Sequence, residues 1–346
     1  MKRTTTMTVM GLFKQYNKQL RASDSHKLSC ESMARILNKL IGQKRVNKIS
    51  QQDFHVLFTE VLTTIDLQTG QKGYSESSLS NFRSYLKQVW RFGYNAGLIA
   101  DKDMPRIGEI SVKNLGRSRA AIRYYDDDTI RKIFTVEELS MRLQRNLFLF
   151  GYLTGLRPSE LIGLAWSDVK FITINDGMKL LEVAQITINR SNVVGKYKEP
   201  KTPNSRRTLD LCERATSILR EQAGMTSGRA QIYEMFDKSS FKAVKYEDDF
   251  VFHNPATQKA WSHANEAYDS IRELFVHLGI EERYRGLQPS RHTYTTKMVR
   301  AGVDFQTVAR DLGHSNVTTL QRHYADFTIK DFDLSKSLVR TNALLA

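Results

Sequence analysis

Cysteine is nearly absent. The 346 residues hold two, Cys30 and Cys212, far apart and in no CxxC pair. That excludes a disulfide-stapled scaffold and a structural zinc site of ordinary spacing, and it suits the reducing cytoplasm. Long apolar runs are missing too. The longest, LFLFGYLTGL from Leu147, is about half of a spanning helix, so no membrane span is expected. The start, MKRTTTMTVMGLF, has neither the apolar core nor the cleavage site of a signal peptide. No Walker-type glycine loop occurs, so nucleotide hydrolysis is not indicated. Acidic charge is also short, with 37 Asp and Glu against 52 Lys and Arg and a net charge of +15. Such an excess calls for a polyanionic partner. Without a membrane segment, nucleic acid is the favoured one.

The chain is long enough for two domains. Up to about residue 100 it reads as helices. Met7 to Leu20 and Leu28 to Ile41 carry apolar residues at helical spacing, and Ser50 can cap a helix through Phe54, Leu57, Phe58 and Val61. The strongest helix runs from Ser75 to Gly97, with Leu79, Phe82, Leu86, Val89 and Tyr94 on one face. Arg83, Lys87 and Arg91 decorate it, either as a solvated face or as phosphate contacts. Residues 105–134, with Pro105, two glycines and scattered basic residues, read as an interdomain linker. A second domain opens at TVEELSMRL, where Thr135 and Glu138 fit a capping box, followed by a buried helix. Residues 171–211 alternate as antiparallel strands do, with KTPNS as the turn between the last two. The segment 225–248 reads as an insertion or irregular connection. The remainder is helical, around 213–223, 262–278, 290–301, 304–312 and 316–323.

Four stretches of the second domain carry candidate chemistry. In TGLRPSELIGL, Arg157 stands at a helix start, Pro158 suits the first helical position, and Glu160 can orient the guanidinium. An isolated surface Arg–Glu pair is the commoner meaning of such spacing. In YKEPKTPNSRRTLDL, Lys201 sits at the mouth of a strand–turn–strand, where an ammonium can reach a groove and give up a proton. It can equally be an ordinary basic hairpin tip, and Arg206 and Arg207 beside it are candidate phosphate contacts. In LQPSRHTYTTKMVRAGVD, Arg291 lies in the first turn of a helix. His292, pointing elsewhere as a helical neighbour must, suits packing or hydrogen bonding. In LGHSNVTTLQRHYADF, His314 follows Gly313 and a helix leads to Tyr324. Histidines and tyrosines often only close a core. The four together, in one order and one domain, are far more specific than any one.

This set resembles the tyrosine recombinases, the phage integrase family. GLRPSELIGL is similar to the family's first arginine box, PKT…RRTLDL to its lysine hairpin, and SRHTYTTKMVRAGVD…ARDLGHSNVTTLQRHYA to its second box. SSLSNFRSYLKQVWRFGYNAGLI also resembles the last helix of its core-binding domain. The resemblance implies an N-terminal all-α core-binding (SAM-like) bundle over 1–104 and the basic linker over 105–134. A mixed α/β catalytic domain, mainly helical with a small antiparallel sheet, follows over 135–328, then a C-terminal tail over 329–346. The tail's Leu334, Leu338, Val339 and Leu344 have the spacing of a segment that docks on a neighbouring protomer or folds back on its own domain. No additional arm-site-binding domain is expected.

Carried over by position, Arg157 and Arg291 would grip the scissile phosphate, Lys201 would protonate the leaving 5′ oxygen, and His314 would hydrogen-bond the phosphate. Tyr324 would attack phosphorus and hold the DNA as a 3′-phosphotyrosyl ester until a 5′ hydroxyl reverses the link. Neither metal nor any other cofactor is implied. The implied partners are double-stranded DNA at specific recombination sites, three further copies in a synaptic tetramer, and directionality or DNA-bending accessory factors. The implied location is the cytoplasm, on the nucleoid. Two departures stand out. Gln288 occupies the place of the family's usual histidine and cannot shuttle a proton. His323 occupies the usual tyrosine place, and Tyr324 is one residue later, a turn of ~100° on a helix. These departures support a rival reading, a DNA-binding protein of this fold with a weakened site. A type IB-like topoisomerase is the rival within the same chemistry.

Overall fold

The computed structural model describes residues 7–64, 66–67, 70, 73–101, 104–116, 124–175, 180–193, 195–200, 205–237, 242–280, 286–314, 316–318, 320–322 and 324. The chain forms two compact units, Met1–Ala121 and Ile122–Ala346.

The first unit is helical. It comprises α1 (Val9–Gln19), α2 (Asp24–Ile41), α3 (Gln51–Val56), which continues through a π turn into α4 (Leu62–Thr64), and α5 (Glu76–Asn95). Local chemistry sets the helix starts. Thr8 Oγ1 accepts from Gly11 N, and Ser50 and Asp53 exchange side-chain and backbone bonds in a full capping box. Ser75 accepts from Ser78 N to open α5. The buried face of α5 is Leu79, Phe82, Leu86, Val89 and Gly93, with Trp90 beside it. Tyr94, expected on that face, is 42% exposed, because the 3.6-residue period has moved on by then. Phe54 meets Trp90 edge to face at 4.8 Å in the middle of this core.

The stretch 105–134 is not one linker. Ile107, Ile110 and Val112 are buried in the first core, and Arg83 Nη1 donates to Ile110 O at 2.7 Å. Arg83 therefore fastens the chain that follows its own helix. Tyr125, Ile130 and Ile133 belong to the second core, where Asp126 caps α6 (Asp127–Phe134) by accepting from Thr129 N at 2.7 Å. The expected Thr135–Glu138 capping box does not form. Thr135 closes α6 by donating to Lys132 O, and α7 (Arg142–Thr154) starts only after a 3₁₀ turn.

In the second unit α7 is the central helix. Leu147, Phe148, Leu149 and Phe150 are all buried, against α9 (Glu213–Thr226), α10 (Ala264–His277) and α11 (Gln288–Arg300). Helix α8 (Pro158–Leu161) packs on α7 and β3, α12 (Phe305–Leu312) packs on α11, and residues 317, 318, 320–322 and 324 are helical. One antiparallel sheet has the order β1 (Val169–Asn175), β2 (Leu180–Ile188), β5 (Arg207–Asp210), with Ile186 opposite Leu209. A second has the order β3 (Ser191–Val193), β4 (Lys196–Lys198), β6 (Gln231–Asp237), β7 (Lys242–Asp248). Two expectations change here. Strands β4 and β5 lie in different sheets, so they do not pair as the two arms of a hairpin. The supposed irregular insertion contains β6 and β7, an antiparallel pair over seven residues each. Among the described residues no helix is long and apolar enough to cross a membrane.

Candidate active site

Two helix C-termini build the floor of the site. Helix α7 ends on Gly155 and α12 on Gly313, both left-handed, with φ of 64° and 65°. A Cβ on Gly155 would lie 2.5 Å from the Tyr294 ring, and one on Gly313 would lie 2.6 Å from Arg207 Nη1. Any other residue would be strained in this conformation and crowded in this space. The carbonyls at these ends have no partners within their own helices and carry partial negative charge.

Three arginines use them. Arg291, on α11, donates from Nη1 to Gly155 O at 2.7 Å and from Nη2 to Leu312 O at 2.8 Å. Arg207, on β5, donates from Nε to Asp311 O at 2.6 Å. Arg157 Nη2 reaches Gly313 O at 3.3 Å. One carboxylate joins them. Glu160 accepts from Arg157 Nη1 at 2.7 Å, from Arg207 Nη2 at 2.9 Å and Nη1 at 3.4 Å, and from the Arg157 backbone N at 3.0 Å. Burial works to raise Glu160's carboxyl, but the Arg207 hydrogen bond and the surrounding guanidinium charges outweigh it and hold it below the usual range.

Three guanidinium groups against one carboxylate leave a cationic cluster. Burial, and then the Arg157 charge, press Arg291 down from its ordinary value to about 9. It stays charged at neutral pH, and an arriving anion would relieve the repulsion. Arg157 is the accessible member, with its side chain 35% exposed against 5% for Arg207.

His314 completes the cluster. Its Nε2 lies 2.9 Å from Arg291 Nη2. A guanidinium only donates, so Nε2 is the acceptor and the proton sits on Nδ1. That Nδ1 is buried and has no hydrogen-bond partner among the described residues. Burial, then the charges of Arg291, Arg157 and Arg207, pull the imidazole down to about 4, so it is neutral at pH 7.

Tyr324 packs into a small apolar cluster with Val299, Val308, Ala309, Leu312 and Leu320 and is 5% exposed. Its Oη is 2.5 Å from His292 Nδ1 on α11, the rings being tilted with centroids 6.2 Å apart. Burial pushes the phenol up to about 12, against the lowering effects of a Thr295 hydrogen bond and the Arg291 charge. The extra residue before Tyr324 has not displaced it from the domain. The chain is helical at Tyr324 itself, and the side chain lies against the helix that carries Arg291.

Arg157, Glu160, Arg291, His292, His314 and Tyr324, all singled out by sequence, thus come together around α11. Gln288 is the exposed first residue of α11, one turn before Arg291 and so on the same side of the helix. Lys201 and His323 lie outside the described residues, as does the tail over 329–346. Arg207 is a correction. It is buried and bonded to Glu160 and Asp311, a brace beneath the site rather than an outward phosphate contact. Arg206, Lys87 and Arg91 are exposed.

A profile of the phage integrase family matches residues 124–330. The chain belongs to the phage integrase family. A tyrosine recombinase XerC-like protein of Caldanaerobacter subterraneus subsp. tengcongensis is 26% identical over 80% of this chain and 71% of the relative. The prophage integrase IntR of Escherichia coli K12 is 23% identical over 82% of this chain and 66% of the relative. Among solved structures, a fragment of the Tn1549 transposon integrase in complex with a circular intermediate DNA superposes with a TM-score of 0.67 at 17% identity, covering 98% of this chain and 99% of that one. A lambda integrase from a tetramer bound to a Holliday junction gives 0.62 at 13% identity, covering 94% and 79%. The shared fold is that of the integrases, mainly helical with small sheets and a helical N-terminal region. As a family these are DNA breaking and rejoining enzymes.

Proposed function

We propose that the protein is a site-specific DNA recombinase that breaks and rejoins strands through a 3′-phosphotyrosyl intermediate, in the service of a mobile element. The observation that carries this reading is the cationic cluster of Arg157, Arg291 and neutral His314, gathered beside the helix that Tyr324 packs against. Among the described residues Arg157 spends two of its five side-chain N–H donors, which leaves donors for a phosphate. His314 Nδ1–H is a further donor without a partner among the described residues.

In the proposed reaction, Tyr324 Oη bonds to phosphorus and the bond from phosphorus to the 5′ oxygen breaks. The leaving oxygen takes a proton from Lys201. Arg157, Arg291 and the Nδ1–H of His314 hold the non-bridging oxygens as charge builds on them. A 5′ hydroxyl from a second strand then attacks phosphorus and releases the tyrosine, so the bond energy is conserved. The N-terminal helical unit and the exposed Lys87, Arg91 and Arg206 supply DNA contacts, and four copies act together on two sites.

The test is covalent capture. The protein is incubated with nicked duplexes taken from the DNA flanking its gene. An adduct linked through Tyr324, absent in Y324F, is expected. No adduct from the wild type, or equal trapping by Y324F, overturns the reading. A strand-relaxation assay run beside a two-site recombination assay separates recombinase from topoisomerase.

A further inference from the structure

We propose that His292 is the general base of the cleavage step, taking the phenolic proton of Tyr324 as the oxygen attacks phosphorus. This rests on the recombinase reading above and assigns a task which that reading leaves open.

A phenol must shed its proton to become a competent nucleophile, and a buried one holds that proton more firmly. Some group within hydrogen-bond reach has to receive it. His292 Nδ1, at 2.5 Å from Oη, is in that position. Other described groups around the site are disqualified by their chemistry. Gln288 has no basic atom. Arg157, Arg207 and Arg291 are donors only. Glu160 is engaged by two guanidiniums, which make it a weak base. His314 has its only lone-pair nitrogen occupied by Arg291. The hydroxyl of Thr295 is donated to Arg291 O at 2.8 Å, and a hydroxyl is no base at neutral pH.

Neighbouring helical residues diverge by ~100°. Arg291 therefore points toward the ends of α7 and α12, where the cationic cluster lies, while His292 points toward Tyr324. A single dipeptide thereby addresses both reactants, the electrophile through its arginine and the nucleophile through its histidine. The step balances. The Oη–H bond breaks, and Nδ1 gains the proton to give an imidazolium whose other proton is on Nε2. The Oη–P bond forms, and the 5′ oxygen leaves with a proton from the general acid. In rejoining, the departing phenolate recovers its proton from His292.

The experiment uses the duplex captured above in two forms, with the ordinary bridging 5′ oxygen and with sulfur in its place, under single-turnover conditions. Thiolate leaves without protonation, so sulfur rescues loss of a general acid and not loss of a general base. H292A and H292N are expected to cleave about 10²–10⁴-fold more slowly, with no rescue by sulfur. Free imidazole should restore part of the H292A rate, and K201A should be rescued by sulfur. H292N keeps a hydrogen-bonding group of similar reach and separates basicity from positioning. If H292N cleaves like the wild type, His292 only positions Tyr324 and the assignment fails. If H292A cleaves as fast as the wild type or faster, the His292–Tyr324 bond is a resting latch and the assignment also fails. Both outcomes differ from failure of the recombinase reading, in which the wild type itself forms no Tyr324 adduct.

Discussion

Arg291 donates to Nε2 of His314, and this one bond at 2.9 Å fixes the tautomer of the histidine. The imidazole is neutral, with its proton on the nitrogen that has no partner among the described residues.

Removing that donor should cost transition-state stabilisation. H314A is expected to cut the single-turnover cleavage rate by about 10²–10³-fold, the ordinary loss for one oxyanion donor. Binding to the uncleaved duplex, measured by gel shift, should change far less.

The same histidine makes stability depend on pH. Its folded value, about 4, lies below its ordinary 6.5. As pH falls below 6.5 the unfolded chain binds a proton that the folded chain refuses, so stability declines toward pH 4 and then levels off. H314N should flatten the curve of Tm against pH in that window. His253, buried and also held below its ordinary value, works in the same direction, so part of the slope should remain.

Arg207 and Arg206 should behave oppositely. R207A leaves Glu160 buried beside a lost partner and is expected to destabilise the protein by about 3–5 kcal/mol, read by denaturant unfolding. R206A, on an exposed residue, should leave stability within about 0.5 kcal/mol. Its effect should appear in DNA affinity, with the salt dependence of binding shallower by about one unit.

At Gly313 an alanine must take up left-handed backbone and push aside Arg207 Nη1. G313A should lose about 1–2 kcal/mol from backbone strain alone, and cleavage should fall with it because the Arg207–Glu160 brace is disturbed. The checks are thermal unfolding and the adduct yield.

Gln288 gives a test in the other direction. Q288H restores a titratable ring one turn before Arg291 and is expected to preserve or raise the cleavage rate. A strong loss would mean that the pocket is shaped around the amide.

Much of this was legible from residue order. Ser50 and Ser75 announce their helices because capping is local chemistry, and the arginine, histidine and tyrosine boxes stand at their positions whatever the fold around them. Three readings needed the folded chain. Ile107, Ile110 and Val112 sit among proline and glycine, with too few turns to show a period, so only the core they enter reveals that they are not linker. The β6–β7 pair alternates, but its outward residues include Ile232, at 72% exposed, and Phe236, which blur the polar face. Arg207 was recoverable in principle. In a strand it shares a face with Leu209, and β5 alternates between buried and exposed from Arg207 onward. A core leucine two residues away already says that the arginine points inward.

Main-chain oxygens of residues 155, 311 and 312 are among the acceptors that hold Arg291 and Arg207. Every amino acid carries such an oxygen. That part of the anchoring is therefore nearly blind to point mutation at those residues, provided that Gly155 and Gly313 keep the chain's direction. A lineage can rewrite most of the surrounding alphabet and still hand down the same charged cradle.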